Sequence, residues 1–234
     1  MNLQKEAHNE LIEAMFKAGA HLGYSKTRRH PSAKPFIFGA KNNIEIIDLE
    51  KTKGFLTAVT EYVKSLGREG KKILFVGTKN ESRAIIKEGA LSIDMPYVEV
   101  RWIGGTISNF PQVKKRLLHL EDLMQKRERG ELSMYTKKEK LMIDREIERL
   151  LKKFEGLLSM KELPAAFFVI DSKKEHIAIK EARDKKIPII SLSSSDCDIK
   201  EVDYPILAND ASLSSVKFFV DQIVAAYKEG RQGA

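Results

Sequence analysis

Lys72-Ile73-Leu74-Phe75-Val76-Gly77-Thr78-Lys79 is the stretch that decides the fold. Its four central residues are apolar without alternation, which marks a strand buried on both faces rather than one with a wet side. Gly77 ends the run, and a helical pattern follows from Glu81 to Leu91. The same unit recurs downstream. Ala165 to Ile170 is a second continuous apolar run, followed by a helix over Glu175–Asp184. Ile187 to Ile190 is a third run. Tyr204 to Leu207 is a fourth, leading into a helix from about Ser212 to Tyr227. Tyr97 to Val100 is a weaker strand candidate. Apolar strands alternating with helices predict an α/β core with a parallel sheet covered on both sides, three layers in all.

Working upstream, Phe36-Ile37-Phe38 and Ile44 to Ile47 flank Gly39 and Asn42-Asn43, and predict two strands joined by a tight turn. Lys51 to Leu66 reads as a helix whose face carries Phe55, Val59, Tyr62, Val63 and Leu66. Between His21 and Pro31, Gly23 and the prolines Pro31 and Pro35 suggest a loop.

Residues 111–158 break the strand–helix rhythm. Val113, Leu117, Leu120 and Met124 follow a spacing of four, three and four, and Ile143, Ile147, Leu150, Phe154 and Leu157 follow the same rule. Gly130 is a helix stop, and Thr136-Lys137-Lys138-Glu139 matches a capping box. Two helices of that seam spacing predict an antiparallel coiled-coil hairpin, inserted into a body made of 1–110 and 159–234. A helical subdomain packed on the sheet is the simpler alternative.

The chain has 234 residues, 41 Lys+Arg against 33 Asp+Glu, and a net charge of +8. The final third is slightly acidic, so the positive field belongs to the rest. No carboxylate falls between Ala14 and Ile44, a stretch that holds Lys17, Lys26, Arg28, Arg29, Lys34 and Lys41. None falls between Val100 and Leu120, which holds Arg101, Lys114, Lys115 and Arg116. Cations without interspersed acids suit a polyanion, because neutralised phosphates release condensed counterions. A basic surface kept for solubility explains the same charge. The charged first twenty residues lack a signal-peptide core, and no apolar run is long enough to span a bilayer. A soluble cytosolic protein without a membrane partner is the expectation. One cysteine, Cys197, excludes an internal disulfide and a cysteine-rich zinc site.

Gly77-Thr78-Lys79 sits where α/β proteins bind phosphates, but neither a P-loop nor a three-glycine dinucleotide fingerprint is present. Gly77 is then a turn residue, with Lys79 and Arg83 free to meet an external phosphate backbone. Asp171, Asp196, Asp198 and Asp210 lie near predicted strand ends, where carboxylates hold Mg²⁺ in some enzymes. Helix caps and turns account for them more simply. His21 and His30 lack further ligands for a metal, and Cys197 lacks a histidine partner. No catalytic residue, metal, cofactor or small-molecule substrate is therefore expected. Tyr24 with its neighbouring arginines suits base stacking and phosphate contact. Arg101-Trp102-Ile103-Gly104-Gly105-Thr106-Ile107-Ser108-Asn109-Phe110 holds the single tryptophan beside a row of donors. Trp102 and Phe110 can anchor it while Arg101 and Asn109 face outward.

The chain resembles the second protein of the bacterial small ribosomal subunit. The resemblance rests on segments in family order: Ala18 to Gly23, Pro35 to Ala40, Ile46 to Thr52, Lys72 to Lys79, Met95-Pro96-Tyr97, Arg101 to Gly105, Thr136 to Glu139, Phe168 to Asp171, and Lys174 to Ala178. It departs from the family at His30-Pro31-Ser32, at Ser194 to Ile199 and at Asp210-Ala211. The resemblance implies a Rossmann-like or flavodoxin-like domain with an inserted coiled-coil hairpin, docked on small-subunit ribosomal RNA in the cytoplasm. Neighbouring small-subunit proteins, among them the large messenger-binding one where it exists, are the implied protein partners. The RNA-facing residues expected on charge are Lys26, Arg28, Arg29, Lys79, Arg83, Arg101, Lys114, Lys115 and Arg116, with Asn109 as a donor. Two other classes stand beside this reading: a Mg²⁺-dependent phosphotransferase using Asp171, and a protein-docking module using the helical arm.

Overall fold

The computed structural model describes residues 2–233, and among them every side chain except those of 2–9 and Ser133. Eight strands and seven α-helices follow one another along the described chain. They are α1 (Asn2–Lys17), β1 (Leu22–Ser25), β2 (Ile37–Lys41), β3 (Ile44–Ile47), α2 (Leu49–Arg68), β4 (Ile73–Val76), α3 (Asn80–Leu91) and β5 (Tyr97–Val98). After these come α4 (Phe110–Glu128), α5 (Lys137–Phe154), β6 (Ala166–Ile170), α6 (His176–Asp184), β7 (Ile189–Ser193), β8 (Tyr204–Leu207) and α7 (Leu213–Gln232).

The main sheet has the order β5-β4-β6-β7-β8, and all its pairings are parallel. Counted within this sheet, the order is 2-1-3-4-5, one of the two common orders of doubly wound folds. Every residue of β4, β6 and β7 is buried, as the unbroken apolar runs require. Alternate side chains feed two cores. Ile73, Phe75, Phe168, Ile190 and Leu192 pack with α2, α3 and α7. Leu74, Val76, Phe167, Val169 and Ile189 pack with α4, α5 and α6. The three-layer α/β architecture is thus the Rossmann-like one.

Helices α2 and α7 cross at glycines. A Cβ on Gly230 would lie 2.2 Å from the Lys64 carbonyl oxygen, and one on Gly67 would lie 2.5 Å from that of Tyr227. Gly230→Ala is expected to lower stability by about 1–3 kcal/mol through this overpacking. A urea midpoint equal to that of wild type would contradict the close approach.

The second sheet is small and antiparallel, ordered β1-β3-β2. Asn42 and Asn43 have φ of 50° and 66°, the left-handed pair that a two-residue hairpin turn needs. Strand β1 corrects the expected loop over 21–31: Leu22 pairs with Ile46 and Ser25 with Ile44. A strand of four residues containing Gly23 carries no local signal, so its pairing is set by β3. The α1 helix had no counterpart in the sequence reading. On α2 the main core takes Leu56 with Val59, Val63 and Leu66, while Phe55 packs aside against Phe36 at 5.1 Å. β5 spans two residues and not four, and β7 begins at Ile189, after Pro188.

The helices over 110–154 form where the spacing placed them. Gly130, with φ of 70°, ends α4. Thr136 caps α5, with both bonds of the capping box to Glu139 in place. Val113, Leu117, Leu120, Leu123, Ile147, Leu150 and Phe154 are buried and continuous with the core on the sheet's second face. Among the described residues, no helix is long and apolar enough to cross a membrane.

Candidate nucleic-acid interface

The carboxyl edge of a doubly wound sheet is where ligands bind, beside the point at which strand order reverses. Here that point lies between β4 and β6. Four loops converge on it: Gly77-Thr78-Lys79 after β4, Asp171 after β6, Cys197 after β7 and Asp210 after β8. Lys79 Nζ lies 2.6 Å from Asp171 Oδ2 and 3.0 Å from Asp210 Oδ2, with its side chain 14 % exposed. Asp210 is fully buried. Burial pushes its carboxyl up to about 6, and the ammonium opposes that shift. Lys79 is itself held protonated: burial disfavours its charge, but Asp210 and Asp171 outweigh it. The ligand-capable oxygens of Asp171 and Asp210 and the Cys197 sulfur lie within 4.8 Å of one another. Lys79 is the positive charge at that centre. Burial, aided by Asp171, pushes the Cys197 thiol up to about 12, which makes it a poor nucleophile.

The small sheet lies over this edge. Tyr24 donates its backbone N–H to Ser195 Oγ at 3.0 Å, and the His30 N–H donates to the Ser195 carbonyl at 2.9 Å. The Tyr24 hydroxyl donates to Asp210 at 3.4 Å and accepts from Lys79 at 3.4 Å. Ile199 N–H donates to Ser32 Oγ at 3.1 Å. The crevice in which an α/β enzyme holds phosphate is therefore filled by this chain's own Lys79 and Tyr24.

The expected RNA-facing residues divide in consequence. Lys79 points into the fold, and Tyr24 is engaged between Lys79 and Arg28, whose guanidinium lies 5.5 Å from the ring centroid. Arg83 is half-buried and donates Nε–H to the Thr78 carbonyl at 3.2 Å. Arg29 pairs with the buried Glu45 at 3.0 Å and remains 25 % exposed. The sequence showed Lys79 and Arg83 as cations next to a glycine turn. It did not show that two carboxylates more than ninety residues downstream fold back onto that turn.

Lys26, Arg28, Arg101, Lys114, Lys115 and Arg116 are exposed, and none has an ion-pair partner among the described residues. Lys26 and Arg28 lie on a short 3₁₀ turn between the two sheets' contacts. Asn109 is exposed at the N-cap of α4, with its side chain free of any cap bond. The three cations of α4 stand about one turn further on, with Lys115 opposite the buried Val113 and Leu117 and Lys114 and Arg116 flanking that stripe. Trp102 and Phe110 are buried, as an anchored loop requires. Arg101 borders a cleft of about 210 Å³, whose lining also includes Lys152 and Lys153. In the sequence these two lysines on α5 read as an ordinary solvated helix end.

Of the aspartates assigned to caps, Asp171 and Asp198 act so. Asp171 Oδ1 accepts the Lys174 N–H at 3.0 Å, and Asp198 Oδ1 accepts that of Lys200 at 3.0 Å. Asp210 instead pairs with Lys79, and Asn209 takes the turn by accepting from the Ala211 and Ser212 N–H groups. Asp196 pairs with Lys173 at 3.2 Å.

A switch point filled by Lys79, with cations on loops and at a helix start that have no ion-pair partner among the described residues, gives a doubly wound α/β protein whose free charges face outward. Comparison with known proteins gives this class a family. The description Ribosomal protein S2 matches residues 15–230. The chain is 41% identical over 221 residues to the small ribosomal subunit protein uS2 of Helicobacter acinonychis, covering 94% of this chain and 90% of that one. It is 39% identical over 220 residues to the uS2 of Sulfurimonas denitrificans, covering 94% and 85%. For the uS2 of Coprothermobacter proteolyticus the identity is 40% over 222 residues, covering 95% and 83%. The chain belongs to the ribosomal protein S2 family.

Proposed function

We propose that this protein is a structural constituent of the small ribosomal subunit in the cytoplasm, where it binds small-subunit ribosomal RNA and supports translation without catalysis. One observation carries the reading. Within the two carboxylate-free stretches, Lys26, Arg28, Arg101, Lys114, Lys115 and Arg116 are exposed and have no ion-pair partner among the described residues. Phosphate contacts from these residues position the protein, and Asn109 adds a donor beside them. Arg29 contributes with its solvent-facing side, and Arg83 in part. Lys79 acts indirectly, by holding the small sheet and its basic turn to the body.

The domain is flavodoxin-like in strand order, and 111–158 is an inserted antiparallel coiled-coil hairpin that reaches away from a body formed by 1–110 and 159–234. Its buried stripe and capping box support that reading. Neighbouring small-subunit proteins are the further partners, with the large messenger-binding one where the organism has it. The phosphotransferase alternative is disfavoured because Lys79 already occupies the centre that Mg²⁺ and phosphate would share.

The test is binding of the purified protein to a transcript of small-subunit ribosomal RNA over a range of salt. The logarithm of the affinity should fall linearly with the logarithm of salt, by roughly 0.7–0.9 per phosphate contact. A salt-independent affinity would contradict this mode of binding.

A further inference from the structure

The loop from Arg101 to Asn109 is anchored by the burial of Trp102 and Ile107, and one side chain from another element gathers its polar groups. Glu181, on α6 and 8 % exposed, spends both carboxylate oxygens on it. Oε1 accepts from the Gly105 N–H at 2.7 Å and from the Trp102 indole N–H at 3.3 Å. Oε2 accepts from the Ile107 N–H at 2.9 Å, the Ser108 N–H at 3.1 Å and the Ser108 hydroxyl at 3.3 Å. Three backbone N–H groups converging on one point form an anion-binding nest, and here the anion is internal. Gly105, with φ of +90°, supplies the turn that aims these groups inward. The Asn109 N–H then closes on the Gly105 carbonyl at 2.9 Å, which starts α4.

We propose that Glu181 is the positioning residue of the RNA interface: its carboxylate fixes the loop from which Arg101, Asn109 and the cationic first turns of α4 are displayed. This inference rests on the RNA-binding reading above. Without the carboxylate, five donors lose their acceptor together, and between the buried Trp102 and Ile107 the two adjacent glycines let the loop sample other conformations. The RNA would then meet an ensemble of loop conformations and have to order them on binding. Burial raises the Glu181 carboxyl, but the amide donors of Ser108, Ile107 and Gly105 outweigh it and hold the group below its usual range. The anion therefore persists at all physiological pH values.

Glu181→Gln tests this in the full chain, because it keeps the size and presents an N–H₂ group where one oxygen accepted. Trp102 is the only tryptophan and touches the carboxylate, so its emission reports the nest directly. Gly230→Ala serves as a control weakened at a remote helix crossing. Three properties are compared: Trp102 emission, the melting temperature, and affinity for the small-subunit RNA transcript measured well below melting. Glu181→Gln should shift the Trp102 emission and weaken RNA binding about tenfold, the scale of one charge-assisted hydrogen bond. Gly230→Ala should keep both at wild-type values despite its lower melting temperature. Wild-type emission and affinity in Glu181→Gln would overturn the proposal, as would an equal loss of affinity in the control. If wild-type protein binds the transcript without salt dependence, the RNA reading fails instead. The Trp102 response, which needs no RNA, would still decide whether Glu181 orders the loop.

Discussion

Lys79→Met should be the most destabilising single change at the sheet's carboxyl edge, costing about 3–5 kcal/mol at pH 7.5 because it strands a buried carboxylate without its partner. Methionine replaces the aliphatic stem, so the loss is that of charge rather than of volume. Asp210 is fully buried and faces Lys79 at 3.0 Å, while Asp171 faces it at 2.6 Å. The pH dependence identifies the cause. In wild type the folded Asp210 carboxyl, at about 6, lies above its ordinary value, so the folded state holds a proton that the unfolded chain has already released. Stability from this group is therefore present in acid and falls as pH rises towards and through 6. Removing the ammonium raises the folded value further, which extends the fall into the neutral range. The deficit of Lys79→Met should accordingly be largest at pH 7.5 and shrink by pH 5, as Asp210 takes up a proton. Urea unfolding at the two pH values measures it. A deficit independent of pH would mean that Lys79 contributes packing alone.

The second large effect lies outside the fold. Replacing Lys114, Lys115 and Arg116 together with glutamine should leave the melting temperature near that of wild type, since all three are exposed and unpaired among the described residues. Affinity for the small-subunit RNA should fall by roughly a hundredfold near physiological salt, with each phosphate contact contributing about 1 kcal/mol. The salt dependence should become shallower by about two to three units of slope, near one for each contact removed. An affinity loss with an unchanged slope would indicate that the three residues shape the interface without neutralising phosphates. The two variants act on opposite properties. Lys79→Met attacks stability through charges turned inward, and the triple variant attacks binding through charges turned outward.

That contrast also marks how far the sequence could be read. The strands β4, β6, β7 and β8 were legible because a strand covered on both faces needs an unbroken apolar run, and Ile73 to Val76 and Ala166 to Ile170 supply it. Helices α4 and α5 were legible from their seam spacing, and the Thr136 cap from its chemistry. Strand β1 was not, because Leu22 to Ser25 owe their conformation to pairing with Ile44 and Ile46. Among the residues expected to face RNA, Lys114 to Arg116 showed in the sequence the exposure they have in the fold, because helical spacing leaves them off the buried stripe of Val113 and Leu117. Lys79 did not, since its partners Asp171 and Asp210 reach it only through the parallel order of β4, β6 and β8. Glu181 lay hidden for the same reason. On α6 it reads as one more solvated charge, and only the packing of α6 against the Trp102 loop turns it inward.

If charge holds this protein on the small ribosomal subunit, salt should release it. Sedimentation of a tagged copy in a lysate of its own organism, on gradients at low and high salt, tests it most directly. The protein should travel with the small subunit at low salt and leave it only at high salt. A protein that remains at the top of the gradient under both conditions would rule out its place in the subunit.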